Sequence, residues 1–207
     1  MSKARLEAFS DGVFAIAITL LIIEVKVPHV EEGRSLLDAL VDQWPQFAAY
    51  AVSFAIIGII WVNHHHVMGE VTRVTHELTF INLALLAAVA FLPFPTALLA
   101  EYVTAGDEQA RVAAVVYSAT MLALASWFLL LWVDVVRRNL HDPRIDAAGL
   151  QRRIRRGLIG PAAYVVTVAV ALVSPLAVLA LHALIAVFYA FDTAAGDLPP
   201  ERTAPAG

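Results

Sequence analysis

Asp11 stands at the head of an apolar run, residues 12–23, in the stretch RLEAFSDGVFAIAITLLII, with Ser10 beside it and Arg5 six residues earlier. Nothing between Val13 and Ile23 is more polar than Thr19. An ionised carboxylate close to a membrane core costs several kcal/mol unless it is paired or wet. It is therefore a candidate ion ligand, proton relay or hydrogen-bond acceptor. Its own helix offers no help, since Glu7 is of like charge four residues back and Ala15 is apolar four residues ahead. A partner has to come from another helix. The segment WVNHHHVM closes a second apolar stretch, and Trp61, His64 and His65 share one face there at i, i+3 and i+4. An indole or imidazole N–H from this face would satisfy Asp11. The histidine run also raises metal binding, but adjacent side chains diverge by about 100°. Neither HxxxH nor HExxH spacing occurs, and no activated nucleophile accompanies the histidines. A metal, a cofactor and an enzymatic role are accordingly not expected.

The elements that must position these groups are apolar helices. The apolar fraction is 60% and charged residues make up 15%, against roughly 25% in a soluble domain. The mean hydropathy is +0.73. This describes an all-α polytopic membrane protein rather than a globular enzyme. The chain has no cysteine, which excludes disulfide and thiolate chemistry. A bilayer core of about 30 Å takes about 20 apolar residues as helix. Six segments approach this, at about 6–26, 43–65, 78–100, 111–135, 158–174 and 176–191. The last two form one stretch of about 50 Å, too long for one crossing. It is predicted to fold back at Val173-Ser174-Pro175, because Pro175 has no N–H to donate. Residues 193–207 are predicted to be a disordered cytoplasmic tail.

With six spans, Lys3, Arg5, Arg73, Arg202 and the cluster from Arg137 to Arg156 fall on one side. The other side holds Lys26, Arg34 and Arg111, diluted by carboxylates. The positive-inside rule makes the basic side cytoplasmic and puts both termini there. The arginine cluster is then a topology determinant that also touches anionic lipid, with no nucleic-acid partner expected. On a helical wheel Ile16, Thr19, Leu20 and Ile23 share a stripe, with Asp11 about 140° from Ile16. The stripe fits ordinary packing, lipid contact or a shared axis. Asn82, Ser118, Thr120, Ser126 and Thr167 are predicted to make interhelical hydrogen bonds, and His182 to be packed and neutral. FLPFP, at 91–95, is predicted to break or kink the third span.

Arg5, Phe9, Ser10 and Asp11 form an R-x-x-x-F-S-D pattern. With the following GVFAIAITLL and the NHHH that closes the second span, it resembles the first helix of the transmembrane protein 175 family of potassium channels, in its prokaryotic form. The resemblance implies a homotetramer in the plasma membrane of a bacterial-type cell, with four first helices around a pore and no reentrant filter loop. It implies a constriction at Ile16, extended by Leu20 and Ile23, with Thr19 as the polar position that sets selectivity. It assigns Arg5, Phe9, Ser10 and Asp11 to helix packing, with Trp61, Asn63, His64 and His65 as partners. The implied activity is passive potassium conduction of modest selectivity. The rivals are a proton-coupled secondary transporter or proton-permeable pore, with Asp11, the histidines and His182 as relay groups. Charged groups within the spans are few and there is no obvious inverted repeat, which counts against a carrier.

Overall fold

The structure, a computed structural model, describes residues 2–30, 32–106, 108–144 and 147–196. Among these residues the chain is helical, and its one β-feature is an isolated antiparallel bridge between Val71 and His141. The helices are α1 (Lys3–Leu20), α2 (Leu36–Asp42), α3 (Trp44–Glu70), α4 (His76–Phe91), α5 (Pro93–Tyr102), α6 (Glu108–Arg137), α7 (Ala147–Gly157), α8 (Ile159–Ala171) and α9 (Pro175–Gly196). Five stretches are long and apolar enough to cross a membrane: Lys3–Glu24, Trp44–Glu70, His76–Tyr102, Glu108–Arg137 and Gly149–Ala171. Pro175–Phe191 is apolar but shorter.

Several predicted boundaries move for local reasons. The α-helix of the first span ends at Leu20 and tightens into a 3₁₀ turn, Leu21–Glu24, before Val25 turns extended. Residues 25 and 26, predicted as helix, are outside it. In a 3₁₀ turn side chains at i and i+3 eclipse, so Leu20 and Ile23 line up more closely than on an α-helical wheel. The third span divides at Leu92, where Pro93 opens α5 as its first residue. Thr96 repairs part of the gap, donating its N–H (3.1 Å) and its hydroxyl (2.8 Å) to the Leu92 carbonyl. The fold-back lies at 172–174, with Pro175 starting α9. The helix α9 takes in residues 193–196 of the expected tail, and residues 197–207 lie outside the described residues.

Apolar burial does little to draw helices together in lipid, so close packing and interhelical hydrogen bonds carry the association. The core shows both. Leu78, Leu85, Leu92, Leu99, Tyr117, Met121 and Leu124 are essentially inaccessible. The Tyr117 hydroxyl lies 2.9 Å from Ser53 Oγ, which is 2.8 Å from Thr96 Oγ1, joining α6, α3 and α5. The ring of His182 stacks on Tyr164 and meets Tyr117 edge-on, while its Nδ1–H donates to the Val178 carbonyl at 2.8 Å. This is the packed histidine expected of α9.

One end of the bundle is clamped by polar contacts. Asn139, at φ 52°, takes the left-handed position just past α6, and Leu140 N–H closes back on the Val135 carbonyl at 2.9 Å. This Schellman ending redirects the chain against the end of α3. Thr72 then donates its N–H (2.7 Å) and hydroxyl (2.9 Å) to the Leu140 carbonyl, and Asp142 N–H donates to Glu70 O at 3.0 Å. Arg138 pairs with Asp134 (2.7 Å) and Glu77 (3.4 Å), Arg153 pairs with Glu70, and Lys3 reaches Gly69 O at 3.2 Å. In the loop after α6, the Arg144 guanidinium and backbone N–H beside Asp142 hold its carboxyl down at about 2.

Candidate functional site

The first helix has two faces of different construction. Leu6, Ser10, Phe14, Ala17 and, beyond the α-helix proper, Leu21 are buried against the rest of the subunit at near-helical spacing. Phe9, Ile16, Leu20 and Ile23 are exposed, with Ile16 at 61% and Ile23 at 66% of their possible surface. Thr19 is exposed on the same side.

On the buried face a polar chain runs through three helices. Ser10 Oγ donates to the Leu6 carbonyl at 2.9 Å and accepts from Asn82 Nδ2 at 3.0 Å. Asn82 Oδ1 lies 2.7 Å from His64 Nε2, so that nitrogen is the donor and carries the ring proton. The Phe14 ring packs on His64 at 5.4 Å between centroids. This α1–α4–α3 chain is fully buried, where a hydrogen bond left unmade would be costly.

Asp11 sits to one side of this chain and is exposed. It accepts from Trp61 Nε1 at 2.9 Å. Of the indole and imidazole donors expected for it, the indole is the one in place. His64 is committed to Asn82, and His65 is exposed with its ring 6.3 Å from that of Trp61. Asn63 does not join the network, because its amide turns back to the Ile59 carbonyl at 2.9 Å and lines a crevice elsewhere. Arg5 is exposed at the start of the helix. Asn82 was recognisable as a polar residue in an apolar span, but its two partners were not.

The exposed stripe is apolar apart from Thr19. The Thr19 hydroxyl is within 3.0 Å of the Ala15 carbonyl and 2.9 Å of the Ile16 carbonyl, so its proton is donated to its own helix. Its oxygen lone pairs remain for an acceptor role, the polarity a cation requires. Among the described residues no group of three or more His, Cys, Asp or Glu side chains is arranged to hold a metal ion.

A multi-pass helical membrane protein results, its first helix anchored by polar contacts on one face and carrying an uncovered apolar stripe on the other. Residues 5–93, from α1 to the start of α5, match the family described as the endosomal/lysosomal potassium channel TMEM175. A protein of Streptomyces collinus named as a potassium channel is 50% identical over 92% of this chain and 92% of its own length. The crystal structure of a lysosomal potassium-selective channel TMEM175 homolog from Chamaesiphon minutus superimposes with a TM-score of 0.81 at 39% identity, covering 92% of this chain and 97% of that one. A chicken protein named as an endosomal/lysosomal proton channel TMEM175 is 35% identical over 68% of this chain but only 30% of its own length. The chain belongs to the TMEM175 family.

Proposed function

We propose that the protein is a passive potassium-conducting channel, a homotetramer of six-span subunits in the plasma membrane of a bacterial-type cell. Both termini face the cytoplasm, where the basic cluster lies. Four copies of α1 surround the pore. Ile16 forms the narrowest ring, Leu20 and Ile23 extend the apolar lining, and Thr19 supplies a ring of hydroxyl oxygens. A narrow apolar ring disfavours water and ions and so gates by dewetting. The Thr19 oxygens replace part of a hydration shell and favour the cation that dehydrates more cheaply.

The observation that carries this reading is the contrast across α1. Its inner face is packed and hydrogen-bonded within the subunit, while Ile16 and Ile23 are left largely exposed by their own chain. The names of the Streptomyces and Chamaesiphon relatives supply the ion. Reconstitution into planar bilayers tests it. The expected result is unitary current steps whose reversal potential follows the potassium gradient. Saturating fluxes without unitary steps would contradict a channel.

A second reading, a proton-permeable pore, is favoured by the name of the chicken relative. It predicts that the reversal potential moves with a pH gradient at fixed potassium.

A further inference from the structure

Away from α1, a crevice of about 560 Å³ opens between α3, α6, α8 and α9, with α7 at its basic end. This lies within the usual range of small-molecule sites, about 300–1,000 Å³. Its deeper wall is apolar, with Ile56, Ile60, Leu124 and Phe128 among the lining residues. Its mouth is polar: Asn63, His66, Glu70, Arg153 and Arg156 gather at the clamped end of the bundle. An apolar slot with a charged rim at that end has the form of an amphiphile site.

Two buried atoms at the crevice narrow the choice of headgroup. Trp132 lines it and is 5% exposed, yet its indole N–H has no acceptor among the described residues. The Arg153 guanidinium lies over the same ring, 5.6 Å from its centroid. Glu70 pairs with Arg153 through Oε1, while Oε2 is buried with no donor. The site thus offers a donor at Trp132, cations at the arginines and an acceptor at Glu70. An anionic phosphodiester carrying a polyol meets all three, whereas an ethanolamine headgroup, whose ammonium also donates to a carboxylate, sets a cation beside Arg153 and Arg156. Two glycines let the chain run close along this wall. A Cβ on Gly157 would come within 3.0 Å of Leu129 Cδ1, and one on Gly160 within 3.2 Å of the Tyr189 hydroxyl oxygen.

We propose that this crevice binds an anionic phospholipid with a polyol headgroup, such as phosphatidylglycerol. The phosphate sits between Arg153 and Arg156, the headgroup hydroxyl donates to Glu70, and one acyl chain occupies the apolar slot. Basic pockets between membrane helices on the cytoplasmic side hold anionic headgroups in this way. The site is independent of the pore and holds whether or not α1 lines one.

The test uses the full-length protein in vesicles doped with brominated phosphatidylglycerol or, in parallel, brominated phosphatidylcholine, reading tryptophan quenching. The expected result is stronger quenching by the glycerol lipid, above the background that the exposed Trp44, Trp61 and Trp127 give with either lipid. The excess should vanish in Trp132→Phe, which removes the reporter, and fall by half or more in Arg156→Gln. Arg156 is exposed, so this variant tests the headgroup without touching the Glu70–Arg153 pair. Equal quenching by both lipids would overturn the proposal. So would an excess that persists in Trp132→Phe, or one that survives Arg156→Gln and Arg153→Gln together.

Discussion

The two faces of α1 differ in how they are satisfied. The inner face ends every polar group on a partner within the subunit, in the chain from Leu6 O through Ser10 and Asn82 to His64. The outer face holds apolar side chains that their own chain leaves exposed, and one hydroxyl turned back on its own backbone. In lipid such interhelical hydrogen bonds carry helix association, and this one ties α1 to two other helices of its own subunit. The anchor fixes the rotation of α1 about its own axis. A helix so fixed would present the same stripe in every subunit of the proposed pore.

Substitutions on the two faces should have different consequences. The largest effect is expected from Asn82→Leu on the inner face, which leaves the His64 N–H buried without its acceptor. The cost is about 1–3 kcal/mol of stability, typical of an unsatisfied buried group, read as a lower melting temperature of the purified protein. Conductance of the channels that do form should change little. Ile16→Asn on the outer face should do the reverse, raising unitary conductance severalfold by wetting the constriction and leaving the melting temperature near wild type. Unchanged currents would remove Ile16 from the constriction. Thr19→Val should shift only the potassium-over-sodium reversal potential, lowering the preference. The smallest effect is expected far from both faces, at the clamp. The Asp142 carboxyl is held at about 2 in the folded protein, below its ordinary value of 3.8. Its contribution is therefore complete above about pH 4 and is lost as pH falls through about 2. The pair lies at the surface, with Arg144 exposed, so the contribution is small and screened by salt. Asp142→Asn should flatten this part of an acid melting series and leave conduction unchanged.

What could be read from sequence follows the range of each interaction. The helices and the division of α1 into stripe and back follow from local periodicity and are visible in 24 residues. The breaks at Pro93 and Pro175 follow from a missing N–H, which is a property of the residue itself. The neighbours of α1 are not local. Trp61 and His64 were identifiable as one face of α3, but which of them reaches Asp11 depends on the rotation of α3 against α1. That rotation is set by Asn82 on a third helix, 72 residues from Ser10. Asn63 illustrates the same limit, since one residue's step along α3 carries it away from Asp11 and toward the crevice. The tightening at Leu21 was also hidden, because a 3₁₀ turn and an α-helix share the same apolar residues.

In the proposed tetramer Ile16 faces its copies across a symmetry axis while Ala17, one residue on, faces its own subunit. The chain contains no cysteine, so a single introduced thiol reports unambiguously. Ile16→Cys and Ala17→Cys, each oxidised in membranes and run under non-reducing conditions, compare the two positions directly. Disulfide-linked dimers are expected from Ile16→Cys and none from Ala17→Cys, since Ala17 is 1% exposed. Cross-linking at Ala17, or its absence at Ile16 while that thiol is labelled freely by a membrane-soluble maleimide, would contradict it.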